Sequence, residues 1–141
     1  MKKPQHILII ASDDTTRNLL EQFFIIRDTK VVATRTCRDA ESIIALWGLD
    51  PFNLAVIDTA TFGRDEIEQK SMVCHLLREW SMQYPLLPVL FLGTSDQKRA
   101  ILKIRADIVR VVVKPFDLDS FIATINELYP SLHPVELNPC Y

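Results

Sequence analysis

Apolar residues along this chain come in short unbroken runs that alternate with longer stretches of mixed character. The runs are residues 6–11 (His-Ile-Leu-Ile-Ile-Ala), 31–34, 54–58 (Leu-Ala-Val-Ile-Asp), 89–92 and 108–113. Short continuous apolar runs bounded by polar turns predict strands buried on both faces, as in a parallel sheet. The stretches between them carry apolar residues at helical spacing. Residues 14–26 present Leu19, Leu20, Phe23, Phe24 and Ile26, behind capping oxygens at Ser12, Asp13 and Asp14. Residues 39–49 present Ala40, Ile43, Ile44 and Trp47, with Gly48 and Pro51 as stop signals. Residues 65–84 present Ile67, Val73, Leu76, Leu77 and Trp80, and Pro85 and Pro88 bound the loop beyond. A fourth helix starts from a Ser95-Asp96 cap and holds Ala100, Ile101 and Ile104 inside. Asp117 caps the last one, which carries Leu118, Phe121, Ile122, Ile125 and Leu128.

The order is therefore βαβαβαβαβα. Strands alternating with helices imply parallel pairing through right-handed crossovers. This predicts an α/β fold: a doubly wound five-stranded parallel sheet in a three-layer αβα sandwich. The domain spans 1–129. Residues 130–141, with Pro130, Pro134 and Pro139, read as a tail or the start of a linker.

Composition narrows the function classes. The chain has 141 residues, 48% hydrophobic and 24% charged, as expected of one ordinary globular domain. A net charge of −2 gives no bulk attraction to nucleic acid or an anionic membrane. No apolar stretch approaches a membrane span, and the apolar run near the N-terminus is too short for a signal peptide. A cytoplasmic protein is expected. Cys37, Cys74 and Cys140 are odd in number and far apart, which suits reduced structural thiols. His6, His75 and His133 are equally scattered, so no Cys–His metal site is read.

Chemistry concentrates at two strand ends. In an open α/β sheet, ligands gather at the carboxyl ends of the strands. Asp58 ends the third strand, and Lys114 ends the fifth, in Val111-Val112-Val113-Lys114-Pro115-Phe116. The reading brings this anion and this cation to one edge. A nucleotide- or chromophore-binding domain of the same architecture is disfavoured, because Ala11-Ser12-Asp13-Asp14 is acidic rather than glycine-rich and would repel a phosphate.

With Asp58, the Lys114-Pro115-Phe116 triplet and Arg17 in this order, the chain resembles the receiver domain of two-component response regulators, over about residues 6–129. The resemblance implies a CheY-like, flavodoxin-like fold and a signalling part of a phosphorelay rather than an enzyme. It implies that Asp58 is a phosphoacceptor served by a histidine kinase, with Lys114 pairing a phosphoryl oxygen. A hydroxyl ending strand four would bond the phosphate, and magnesium held by acids after strand one would neutralise its charge.

Two of these four parts depart from the family's pattern. An ungapped match through Arg17 puts Ala11 and Ser12 in the acid positions, with Asp13 and Asp14 just beyond. Sliding Asp13 and Asp14 into those positions restores the acid pair and breaks the match at Arg17. Asp13 and Asp14, beside Asp58, are the acids left to hold magnesium, with Asp13 and Asp58 the pair favoured for it, against a helix-capping role for Asp13 and Asp14. Counting from Pro88, the hydroxyl position falls on Gly93, with Thr94 one place late. Val111 stands where the family often has a switching aromatic, and the third helix is longer than the family's usual. The chain therefore reads as a divergent receiver with a degenerate metal site. Its alternative is a fully functional magnesium-dependent switch controlling a transcriptional output domain. Signals would pass through the surface of the fourth helix, fifth strand and fifth helix, to an output domain or a second copy. Lys98, Arg99, Lys103 and Arg105 form a basic face on the fourth helix, which would meet an acidic partner or another copy's Asp117, Asp119 and Glu127. No direct contact with nucleic acid or membrane is expected.

Overall fold

The middle strand of the sheet is β3, Leu54–Asp58, and all five of its residues are buried. The structure, a computed structural model, describes residues 6–47 and 52–128. Around β3 the chain lays down β1 (His6–Ile10), β2 (Lys30–Thr34), β4 (Val89–Gly93) and β5 (Val109–Val113). All pairings are parallel, in the order β2-β1-β3-β4-β5. The helices are α1 (Asp14–Ile26), α2 (Cys37–Trp47), α3 (Glu66–Gln83), α4 (Ser95–Ile104) and α5 (Leu118–Leu128), with a short 3-10 turn at Thr59–Phe62. The expected architecture is the observed one.

Successive strand residues point to opposite faces, and this sorts the core into two layers. Leu8, Ile10, Ala55, Ile57 and Phe91 meet Ala40 and Ile44 of α2, Val73, Leu77 and Trp80 of α3, and Ile101 of α4. Ile7, Ile9, Leu54, Val56, Leu90 and Leu92 meet Leu20 and Phe24 of α1 and Phe121 and Ile125 of α5. Phe23, Phe24 and Phe121 add edge-to-face ring contacts on this second side.

Several sequence expectations are corrected. On α1, Leu19 and Ile26 are 67% and 75% exposed, because only the Leu20–Phe24 stripe lies flat on the sheet. Ile67 is 81% exposed, since it sits in the first turn of α3, before the stripe that starts at Val73. Helix α2 starts earlier than expected, at Cys37, because the Thr36 hydroxyl accepts from Asp39 N–H. Helix α4 is capped by Thr94 rather than Ser95. The Asp117 cap forms as expected, accepting from Ser120 N–H, whereas Asp65, expected as the first residue of the third helix, is its cap and accepts from Glu68 N–H. The expected end of the second helix beyond Trp47, the Trp47 side chain and the 129–141 segment lie outside the described residues.

These placements predict a contrast. Phe121→Ala should cost about 3–5 kcal/mol of unfolding free energy, because it removes a buried ring from the α1–α5 core layer. Ile67→Ala should stay within about 0.5 kcal/mol of wild type. Urea denaturation of the two variants checks both.

Candidate functional site at the carboxyl edge of the sheet

Parallel pairing brings the ends of β1, β3, β4 and β5 to one edge. Asp58 lies level with Leu92 of β4, and Gly93 lies level with Val113 of β5. The backbone N–H of Lys114 donates to the Gly93 carbonyl at 2.8 Å, which fixes where the lysine leaves the sheet. Its ammonium reaches past β4 and donates to Asp58 Oδ1. The Asp58 side chain is only 5% exposed, and that of Lys114 is 35% exposed. Asp58 Oδ1 also accepts from Ala60 N–H at 3.0 Å, so the carboxylate caps the 3-10 turn that follows β3. The predicted meeting of Asp58 and Lys114 is thus what the fold makes.

The acids after β1 do different work. Ala11, in the first acid position of the ungapped match, is fully buried in the α1–α5 core layer. Ser12 is exposed, and its backbone N–H donates to Thr61 Oγ1. Asp13 caps α1: one carboxylate oxygen accepts from both the N–H and the hydroxyl of Thr16, each at 2.8 Å. Those two bonds hold its pKa below the ordinary value, with the Arg17 and Lys114 charges adding to the effect. Asp14 pairs with Arg17 and lies 3.5 Å from Arg35, and the Arg17 hydrogen bond is the main cause of its lowered pKa. Arg17 also donates to the Ala11 carbonyl at 3.0 Å, pinning the end of β1 to α1.

A magnesium ion needs carboxylate oxygens in near-octahedral array with water. Here one acid position is apolar core, the other is a serine, and Asp13 is committed to its cap. Asp58 shares Oδ1 with an ammonium and an amide. Asp13 Oδ2 is taken by the α1 cap, and Asp58 Oδ1 by Lys114 and Ala60.

Thr94 is also committed elsewhere. Its hydroxyl donates to Glu66 and accepts from Gln97 N–H at 3.2 Å, while its own N–H donates to Gln97 Oε1 at 3.0 Å. This is a capping box, the Thr-x-x-Gln signal at residues 94–97, legible in the sequence though not read there. Gln97 is fully buried. Its oxygen also accepts from Thr59 Oγ1 at 2.8 Å, and its amide donates to Gln69 Oε1 at 3.0 Å. A Cβ on Gly93 would lie 2.6 Å from Gln97 Oε1 and 3.1 Å from Thr59 Cγ2, so a larger residue here would displace the Gln97 amide. Gln97 thus fills the space behind Gly93 at the end of β4.

Above the ion pair lies a cleft of about 340 Å³. Its walls are Leu19, Leu20 and Phe23 of α1 and Phe116, Leu118 and Phe121 at the start of α5, with Asp58, Lys114, Leu92 and Thr16 completing it. The pair is self-neutralising and sits at the base of an apolar funnel.

No family model and no curated protein matches the sequence. Solved structures do. A response regulator receiver domain from Clostridium thermocellum superposes with a TM-score of 0.69 at 18% identity, covering 91% of this chain and 96% of that one. Full-length FixJ from B. japonicum gives 0.68 at 24% identity, covering 97% of this chain and 63% of that one. An orphan response regulator of H. pylori gives 0.66 at 13% identity, covering 88% and 95%. At these identities the likeness is one of fold, and the fold is that of the CheY-like receiver domains.

Two outcomes follow from the site. Gln97→Leu strands the Thr59 hydroxyl, the Thr94 N–H and the Gln69 carbonyl, so it should cost about 2 kcal/mol or more in urea unfolding. The Asp13 cap gives a pH dependence. Its folded pKa lies below the ordinary 3.8, so its contribution is complete above 3.8 and is lost as pH falls through the folded value. Asp13→Ala should lower the urea midpoint at neutral pH, and the gap to wild type should narrow as the pH is taken below 3.8.

Proposed function

We propose that this chain is a receiver-type signalling module that acts by docking, with Asp58 and Lys114 as a clasp between β3 and β5. The observation that carries this reading is the Lys114 ammonium on Asp58 at the carboxyl edge, beside a buried Ala11 where an acid would be needed. The module is a cytoplasmic signalling part, not an enzyme. Its partners are a histidine kinase or another signalling protein, and an output domain or second copy. Among the described residues no helix is long and apolar enough to cross a membrane.

The α4–β5–α5 surface is the output side in this reading. It holds a shallow groove of about 290 Å³ bordered by Lys98, Pro115, Phe116, Asp117 and Thr124. Its charge differs from the sequence expectation. Of the basic residues assigned to α4, only Lys98 borders this groove. Arg105 lies past the helix end and pairs with Asp107. Glu127 pairs with Arg110, 3.2 Å away. Arg105 and Glu127, two of the charges expected to zip a dimer, are thus already paired within the chain.

A second reading makes Asp58 a magnesium-dependent phosphoacceptor. The cleft that opens onto its carboxylate beside Lys114 favours it. Intact-mass spectrometry after incubation with acetyl phosphate, with and without magnesium, separates the two. We expect no phosphoryl adduct and identical behaviour of wild type and Asp58→Asn. An adduct on wild type that is absent from Asp58→Asn would replace the clasp with a phosphoacceptor, and a magnesium requirement would establish the second reading.

A further inference from the structure

Two of the cations missing from the α4–β5–α5 groove, Arg99 and Lys103, lie on the other flank of α4. We propose that the groove between α3 and α4 is a docking site for an acidic amphipathic helix of a partner protein. The groove has a volume of about 670 Å³. On α3 its wall is Lys70, Cys74 and Arg78, one stripe at i, i+4 and i+8. On α4 the facing residues include Arg99 and Lys103. Four cations thus line one groove on a chain whose net charge is −2.

Their charge is largely unspent. Asp96 is the one acid in the lining, and it is held by Arg99 at 2.7 Å within α4. Among the described residues, Lys70, Arg78 and Lys103 make no ion pair. Half-buried Cys74 and Ile104 supply a narrow apolar floor between the cations.

The dimensions suit a helix. Lys70 and Arg78 are eight residues apart, about 12 Å along α3, or about two turns of a partner helix. Such a helix would set apolar residues on the floor and acids at i, i+3 and i+7 against the two basic walls. Among the described residues no aromatic side chain lines the groove for a base to stack on, which favours an acidic protein over a nucleic acid strand. The proposal does not depend on whether Asp58 takes a phosphoryl group.

The test is fluorescence anisotropy with a labelled synthetic helix whose leucine stripe is flanked by glutamates. Saturable binding is expected at low salt, weakening at least about tenfold on going from about 50 to about 300 mM salt. Lys70→Glu with Lys103→Glu should weaken it about tenfold or more, while Lys98→Glu, on the opposite flank of α4, should change it less than about twofold. All three positions are exposed, so folding is preserved. Cys74 is a second reporter. With Cys140→Ser in place, and Cys37 silent because burial pushes its thiol up to about 12, alkylation of Cys74 should slow when the peptide is bound. Absent binding, equal loss in Lys98→Glu, unchanged Cys74 alkylation, or tighter binding of a single-stranded oligonucleotide of equal charge would each overturn the proposal.

Discussion

The burial of β3 on both faces is the constraint on which the carboxyl edge depends. Leu54 and Val56 face one helical layer, Ala55 and Ile57 the other, and none has accessible surface. Asp58 follows directly and is still 3% exposed. A carboxylate so placed must be hydrogen-bonded or paired. Ala60 N–H supplies a local donor and Lys114 the counter-charge. Parallel pairing is what makes the lysine available, because it gathers every strand's carboxyl end on one side. Gly93 ends the strand between them, so the lysine extends past a residue with no side chain. Such a pair is weak evidence for stability. It is a strong constraint on arrangement, since losing either partner leaves a charge facing an apolar cleft.

The other polar groups at this edge are held by their nearest neighbours. Asp13 closes the first turn of α1, Asp14 meets Arg17, and Thr94 closes the first turn of α4. Receiver chemistry asks the same edge for acids and a hydroxyl turned toward the aspartate. Here Ala11 joins the core just past the end of β1, and Gly93 leaves room for Gln97 at the end of β4.

Most of the fold was legible because it is written in local signals. Five apolar runs and the helical spacings between them specify strands, helices and parallel topology, and β3 and α1 fall on their expected bounds. The meeting of Asp58 and Lys114 was legible for the same reason, since it follows from topology alone. Exposure was harder. Leu19 and Ile67 look like core residues in a periodic pattern, and only the packing of each helix on the sheet shows that they are not. The Thr59–Gln97–Gln69 network was illegible because its members lie 38 and 28 residues apart in sequence. Pattern reading sees each of them as an ordinary polar residue.

That network also explains why the basic face of α4 is divided. A helix advances about 100° per residue, so one buried anchor near its start sets the bearing of all that follow. Gln97 is that anchor, tied to Thr59 and Gln69. Relative to Gln97, Ile101 and Ile104 lie within about 40°, both facing the core. Arg99, Ala100 and Lys103 then fall between about 200° and about 300°, and Lys98 falls near 100°. The first group looks toward α3 and the last toward α5, as their groove linings bear out. A hydrophobic residue at 97 would still be buried, but it would leave the rotation of α4 to packing alone. Hydrogen bonds in two directions hold that rotation, and with it the side of the molecule on which the positive charge is displayed.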